Sequence, residues 1–98
     1  MREKIRVQNL YGFCNKMVNL HCPNNMPWVD KREIRFSLML VLSPICEFMY
    51  INEASRISGR FIYQECKNRG WRKKRINGSK TVLWDHEKSF VEHKRSMT

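Results

Sequence analysis

The 98-residue sequence contains little glycine and proline, few acidic residues and no long apolar run. Four glycines and three prolines exclude collagen-like and low-complexity chains. The longest apolar stretch, residues 36–46, has eleven residues, whereas a membrane-spanning helix needs about 20. No apolar run follows the first residues, so we expect no secretory signal. We therefore expect the cysteines to be reduced and the protein to be cytoplasmic, either on a nucleoid or in the cytoplasm of a host cell.

The sequence also lacks the ligand spacing of a metal site and the residue pairs of an active site. Cys14, His21 and Cys22 form the closest set of potential zinc ligands, and no second pair with zinc spacing accompanies them. No glycine-rich phosphate loop is present, and the sequence shows no nucleophile–base or carboxylate pair. We therefore expect no metal, no cofactor, no small-molecule substrate and no enzymatic activity.

Basic residues dominate what the sequence does contain. Nineteen Lys and Arg against nine Asp and Glu give a net charge of +10, which is typical of proteins that bind a polyanion, either nucleic acid or an anionic membrane surface. Residues 1–49 carry +3 and residues 50–98 carry +7, so the second half is the predicted binding region. Residues 1–48 are predicted to be an extension, upstream of an alternative start at Met49, that serves dimerisation or partner binding.

Within this extension the pattern predicts one loop and one helix. Two prolines and paired asparagines predict a loop over residues 21–28. Asp30 is the predicted cap of a helix that includes residues 34–42 and ends before Pro44. A strand over residues 34–42 is the alternative, because periodicity does not separate the two in a short apolar run.

The second half has a clearer pattern of elements. Asn52 is the predicted N-cap of a first helix that ends in a turn at Ser58 and Gly59. Residues 60–69 form the predicted second helix. Gly70 is predicted to adopt the left-handed conformation that ends a helix, with Trp71 as a packing anchor behind it.

A β-hairpin and a last helix are predicted next. Asn77 and Gly78 are the strongest signal for a two-residue turn, here between strands 72–76 and 79–84. Asp85 is the predicted cap of a helix over residues 88–94, and residues 96–98 are a predicted frayed tail. The core of this domain is expected to contain Ala54, Ile57, Ile62, Trp71, Val82, Trp84 and Phe90.

Several of these segments together carry a resemblance to a known family: residues 51–59 (INEASRISG), Tyr63, the helix end at Gly70 and Trp71, and residues 82–84 (VLW). They resemble the small MerR-type winged helices, with phage excisionase and AlpA-like regulators the most similar in pattern. Residues 66–75 (CKNRGWRKKR) also resemble the DNA-binding module of Mu-type repressors and transposases, in which a helix ends in Gly-Trp and a basic wing follows. The resemblance covers residues 49–95 and implies an α+β fold, a small winged helix-turn-helix.

A winged helix of this kind places its second helix in the major groove of DNA, which is wide enough to admit a helix. The expected base readers are the exposed residues of that helix, Arg60, Gln64, Lys67 and Asn68. Contacts to the DNA backbone are expected from the wing and the helix ends: Arg56, Tyr63, Arg69, Arg72, Lys73, Lys74, Arg75 and Lys80. The structural alternatives are that Tyr63 packs in the core and that residues 72–75 form a solvated basic surface.

The predicted function is sequence-specific binding of double-stranded DNA, by a small transcriptional regulator or an excisionase-like recombination directionality factor of a phage or mobile element. The resemblance further implies a homodimer or a cooperative array on DNA. One alternative is a membrane-surface protein in which residues 36–42 insert beside Lys31, Arg32 and Arg35, although a membrane is not the expected partner. The other is an RNA- or protein-binding accessory protein, which is disfavoured because the aromatic residues are expected in the core.

Overall fold

The computed structural model describes residues 6–75 and 82–86, which form three helices and one two-stranded sheet. The helices are α1 (Leu10–His21), α2 (Trp28–Leu42) and α3 (Ile51–Asn68), with a 3-10 turn at Cys46–Phe48 between the last two. The strands β1 (Trp71–Arg75) and β2 (Val82–His86) follow α3. The predicted α+β class is confirmed. The chain divides into two compact units, Met1–Gln64 and Glu65–Thr98.

Helix α1 is an element that the mixed spacing of apolar residues near the amino end does not predict. It begins after Asn9, whose Oδ1 accepts a hydrogen bond from the Gly12 amide at 3.0 Å and so satisfies one amide of the first turn. Its buried residues, Cys14, Met17 and Val18, lie on one side of the helix, and α1 packs on α2.

Helix α2 confirms the predicted helix over residues 34–42 and starts earlier, at Trp28. Pro27 precedes its first residue, so Asp30 lies inside the first turn and the prediction that Asp30 caps the helix is wrong. Proline suits this place because its fixed φ matches a helix start and the first amides of a helix lack intrahelical acceptors. The helix ends at Leu42, before Pro44 as predicted.

Helix α3 is a single helix of 18 residues, where the sequence pattern predicts two helices and a turn. Ser58 and Gly59, the predicted turn, lie in its middle, and Asn52, the predicted cap, lies in its first turn, so both predictions are wrong. The helix is continuous because buried residues recur at every fourth position and form one stripe along it. Each member of this stripe is at most 1 % exposed: Ala54, Ser58, Ile62 and Cys66. Only a continuous helix keeps this stripe on one side, and a glycine inside a helix costs about 1 kcal/mol relative to alanine.

Strands β1 and β2 form an antiparallel hairpin in which Trp71 pairs with His86 and Arg75 with Val82. The predicted hairpin is therefore confirmed, and β2 continues two residues beyond its predicted end. Asp85 lies inside β2 opposite Arg72, so the prediction that it caps a last helix is wrong. The predicted turn at Asn77-Gly78, Lys80 and the helix over residues 88–94 with Phe90 lie outside the described residues.

The core prediction is confirmed for Ala54, Ile62 and Trp71, which are buried. Ile57 is half-buried, because it lies at the margin of the buried stripe of α3, and Trp84 is half-buried on the hairpin. Within the described ranges, none of the helices combines the length and the apolar character needed to cross a membrane.

Candidate nucleic-acid interface

The exposed side of α3 contains the predicted DNA-contacting residues of the helix. Between Ala54 and the end of α3 six residues are exposed, and all six belong to the predicted set: Arg56, Arg60, Tyr63, Gln64, Lys67 and Asn68. At 100° per residue they fall within an arc of about 140° opposite the buried stripe. We call these six residues the α3 basic face. Tyr63 is 39 % exposed, so it lies on this face and not in the core.

The α3 basic face has three cations and no carboxylate among its six residues. Glu53, in the first turn of α3, is exposed within the same arc and adds one carboxylate at the amino end of this side of the helix. Glu65 is half-buried, with its Oε1 3.9 Å from Nη2 of Arg69. With a rise of about 1.5 Å per residue the face extends about 18 Å along the helix, enough to cross a major groove about 12 Å wide. Guanidinium, ammonium and carboxamide groups are the side-chain groups that pair with base edges.

The end of α3 is fixed by a glycine and by a histidine from β2. Gly70 has φ +90°, and its amide donates to the Lys67 carbonyl at 3.0 Å, which confirms the predicted helix-ending glycine. Nε2 of His86 lies 3.0 Å from the carbonyl oxygen of Arg69. The last residue of β2 is therefore bonded to the chain between α3 and β1.

One face of the hairpin combines aromatic rings with a lysine. Side chains alternate between the two faces of a strand, and the register puts Trp71, Lys73, Trp84 and His86 on the same face. The rings of Trp71 and His86 are 4.4 Å apart, and Nζ of Lys73 lies 5.1 Å from the centre of the Trp84 ring. The ring quadrupole attracts the ammonium group, so Trp84 orients Lys73 at the surface.

The opposite face of the hairpin carries Arg72, Lys74, Leu83 and Asp85, all exposed. Nζ of Lys74 lies 2.8 Å from Oδ2 of Asp85, along a diagonal of the ladder. The hydrogen bond from Lys74 and its positive charge lower the pKa of the Asp85 carboxyl, which is therefore ionised at neutral pH. Asp85 offsets part of the positive charge of this face.

The structure thus distributes the predicted wing residues over both faces of the hairpin instead of one. Arg72 and Lys74 share one face of the hairpin and Lys73 lies on the other, while Arg69 is half-buried beside Glu65. Arg75 pairs with Val82 at the end of the ladder. Lys80 lies outside the described residues.

Sequence reasoning missed two residues that shape this region, Asp85 and His86. The signal that could have found them is the period of two that Val82 and Trp84 begin and His86 continues, since it extends the strand through Asp85. An aspartate that follows a tryptophan was equally compatible with a helix cap, because Asp is favoured at such caps.

In the described part of the chain, no three His, Cys, Asp or Glu side chains lie together in a way that would hold a metal ion. Comparisons of the chain with protein-family models, with curated proteins and with solved structures found no match. Function is therefore inferred from the charge, exposure and geometry of the described residues.

Proposed function

We propose that the protein binds double-stranded DNA, with the α3 basic face in the major groove. The observation that carries this proposal is the composition of that face, since the six exposed residues after Ala54 include three cations and no carboxylate. A duplex presents one negative charge per about 1.7 Å of its axis, so a surface of this charge gains affinity for any duplex by releasing counterions.

The roles within the face follow from residue chemistry. Arg60 and Lys67 pair with guanine, and Gln64 and Asn68 with adenine, because these donors and acceptors match the base edges in the major groove. Arg56 and the hydroxyl of Tyr63 contact phosphates, which position the helix without selecting a sequence.

The hairpin acts as a wing in this proposal. Arg72, Lys73, Lys74, Arg75 and Lys80 supply contacts to the DNA backbone, as the resemblance to winged helices implies. Since α3 is continuous through Ser58 and Gly59, the helix that precedes the recognition helix is α2 and not the first half of α3. This order of α2, α3 and hairpin supports a winged helix-turn-helix whose turn lies within residues 43–50.

A small sequence-specific DNA binder of this type serves as a transcriptional regulator or as an excisionase-like directionality factor of a phage or mobile element, acting as a dimer or a cooperative array. This biological role rests on the resemblance in sequence pattern. Both roles require the same DNA contacts from α3.

A selection from genomic DNA tests the proposal. The protein is mixed with sheared genomic fragments at about 50 and about 200 mM salt, and the retained fragments are sequenced. We expect retention that falls steeply at the higher salt and a common motif among the retained fragments. Failure to retain DNA at the lower salt would contradict the proposal.

Two glutamine variants test whether α3 reads the DNA motif. Gln64→Ala should weaken the preference for one base position by roughly 1–3 kcal/mol, because the amide pairs with a base edge. Gln8→Ala removes an exposed glutamine that precedes α1 and should leave the motif unchanged. An unchanged motif in Gln64→Ala would remove Gln64 from the base-reading set.

A further inference from the structure

A second cationic surface lies in the Met1–Gln64 unit, where α1 packs on α2. Here a cavity of about 410 Å³ is lined by Val18, Asn19, Trp28, Lys31, Arg32 and Arg35. Among these described residues three are cations and none is a carboxylate. Val18 is buried and contributes an apolar wall, while Trp28 is 65 % exposed. The cavity therefore offers positive charge beside an accessible aromatic ring.

Aromatic rings and guanidinium groups alternate along this surface. The guanidinium carbon of Arg32 lies 5.6 Å from the centre of the Trp28 ring and 5.4 Å from that of Phe36, since the three residues are spaced four apart on α2. The guanidinium carbon of Arg35 lies 5.8 Å from the Phe36 ring centre and 5.2 Å from that of Tyr11 on α1. We call the series Tyr11, Arg35, Phe36, Arg32 and Trp28 the ring–arginine row.

The row is held in place by contacts between the two helices. Nη1 of Arg35 donates a hydrogen bond to Oδ1 of Asn15 on α1 at 3.1 Å. Each guanidinium lies near two rings, which restricts its orientation before any ligand arrives. All three aromatic residues of the row are exposed. A core location of the aromatic residues argues against RNA binding, but these three aromatic residues lie at the surface.

We propose that the ring–arginine row and the adjoining cavity bind a single strand of nucleic acid. Bases of a single strand are unstacked and present their faces to exposed aromatic rings, while the phosphates follow the cations. Trp28 is the principal stacking platform, and Lys31 and Arg35 are the phosphate contacts. This site is separate from the α3 basic face, so the proposal does not depend on duplex binding by α3.

The arrangement of charge favours a single strand over an anionic membrane. A helix that lies on a membrane keeps its cations on the polar side and its apolar side free of charge. On α2 the reverse holds, because Arg32 stands between two exposed rings on the same side of the helix. Alternating rings and cations match the repeating bases and phosphates of a nucleic-acid strand.

Fluorescence anisotropy of the full chain with a labelled oligothymidylate of about 12 nucleotides tests the proposal. Trp28→Ala should weaken this binding about 5- to 140-fold, the range expected for the loss of one stacking platform. Trp28→Phe should restore most of the affinity, because a phenyl ring still stacks. Lys31→Gln should lower the dependence of log affinity on log salt concentration by about 0.7, the value for one phosphate contact on a single strand.

Leu40→Ala is the matched control, because Leu40 is exposed on α2 and does not line the cavity. This variant should leave binding of the oligonucleotide unchanged. All variants should keep their binding to a DNA duplex that has no single-stranded segment. The same proteins are tested for flotation with vesicles of phosphatidylcholine and phosphatidylglycerol. Equal oligonucleotide affinity of Trp28→Ala and the unmodified protein would overturn the proposal. So would vesicle binding that Trp28→Ala and Leu40→Ala weaken alike, with no binding of the oligonucleotide.

Discussion

Nε2 of His86 donates a hydrogen bond to the carbonyl oxygen of Arg69 across a distance of 3.0 Å. A carbonyl oxygen only accepts hydrogen bonds, so Nε2 carries the hydrogen in this contact. The same ring lies 4.4 Å from the ring of Trp71, the first residue of β1. One side chain at the end of β2 thus contacts both the residue that follows α3 and the first residue of β1.

His86→Ala should therefore lower the free energy of unfolding by roughly 1–2 kcal/mol, through loss of one hydrogen bond and one ring contact. Urea denaturation followed by circular dichroism measures the change. His86→Phe separates the two contributions, because it keeps a ring against Trp71 and lacks the donor. If His86→Ala unfolds at the same urea concentration as the unmodified protein, the imidazole does not stabilise the hairpin.

Two glycine substitutions test the continuity of α3. Gly59 lies inside the helix, and an added Cβ would meet only ordinary contact with the His21 ring, at 3.5 Å. Gly59→Ala should thus raise the free energy of unfolding by about 0.5–1 kcal/mol. Gly70→Ala should lower it by about 1–2 kcal/mol, because Gly70 has φ +90°. Thermal melts compare the two, and a destabilised Gly59→Ala would instead indicate a turn at Ser58-Gly59.

The hairpin and the end of α3 could be predicted because their signals are local. A glycine after the last helical turn, and strands rich in β-branched and aromatic residues, act within a few positions. The predicted turn at Ser58 and Gly59 is wrong because tertiary packing overrides the local preference. Ser58 is a residue that favours turns, yet it is completely buried in the stripe of α3, and the propensity of two residues does not outweigh the burial of that stripe.

The exposed residues of α3 could be predicted in spite of that error. Residues 60, 64, 67 and 68 keep the same helical phase whether the helix starts at residue 51 or at residue 60. The ring–arginine row could not be predicted, because Tyr11 and Arg35 lie on different helices and meet only through the packing of α1 on α2. The Lys74–Asp85 pair depends on the register of the hairpin, which the sequence pattern did not define.

The cysteines should differ in their reactivity toward alkylating agents. Cys14, Cys22 and Cys66 are buried, and Cys46 is half-exposed. Burial, with a smaller contribution from Cys46, raises the pKa of the Cys14 thiol to about 11, so this thiol stays protonated and unreactive at neutral pH. Iodoacetamide followed by peptide mass spectrometry should label Cys46 first and Cys14 only on unfolding. Early labelling of Cys14 would show that α1 does not bury this thiol.

Asp85→Asn should strengthen binding to duplex DNA and make its salt dependence steeper by up to about 0.9, because Lys74 is released for a phosphate. Glu47→Gln, at an exposed carboxylate in the 3-10 turn, removes the same charge and should have a smaller effect. Anisotropy titrations with a labelled duplex measure both. Equal effects of the two variants would show that only net charge matters and that Lys74 makes no DNA contact.

The pH dependence of the Asp85 effect follows from the direction of its pKa. Lys74 lowers the pKa of Asp85, so the ion pair is fully present above the ordinary carboxyl value of about 3.9 and is lost as the pH falls through the lowered pKa. The difference between Asp85→Asn and the unmodified protein should therefore be the same at about pH 6 and about pH 8. The difference should also persist at about pH 4, where an unpaired carboxyl is about half protonated, and a difference that halves between about pH 6 and about pH 4 would mean that Lys74 does not hold the carboxylate.

Binding of duplex DNA by the α3 basic face is tested most directly by the salt dependence of two variants that each remove one exposed cation. Arg56 lies on the α3 basic face, where the proposal gives it a phosphate contact, and Lys16 lies on α1. Arg56→Gln should weaken duplex binding and reduce the slope of log affinity against log salt concentration by about 0.9, whereas Lys16→Gln should change neither. An unchanged slope in Arg56→Gln, or the same loss in both variants, would contradict the placement of α3 in the groove.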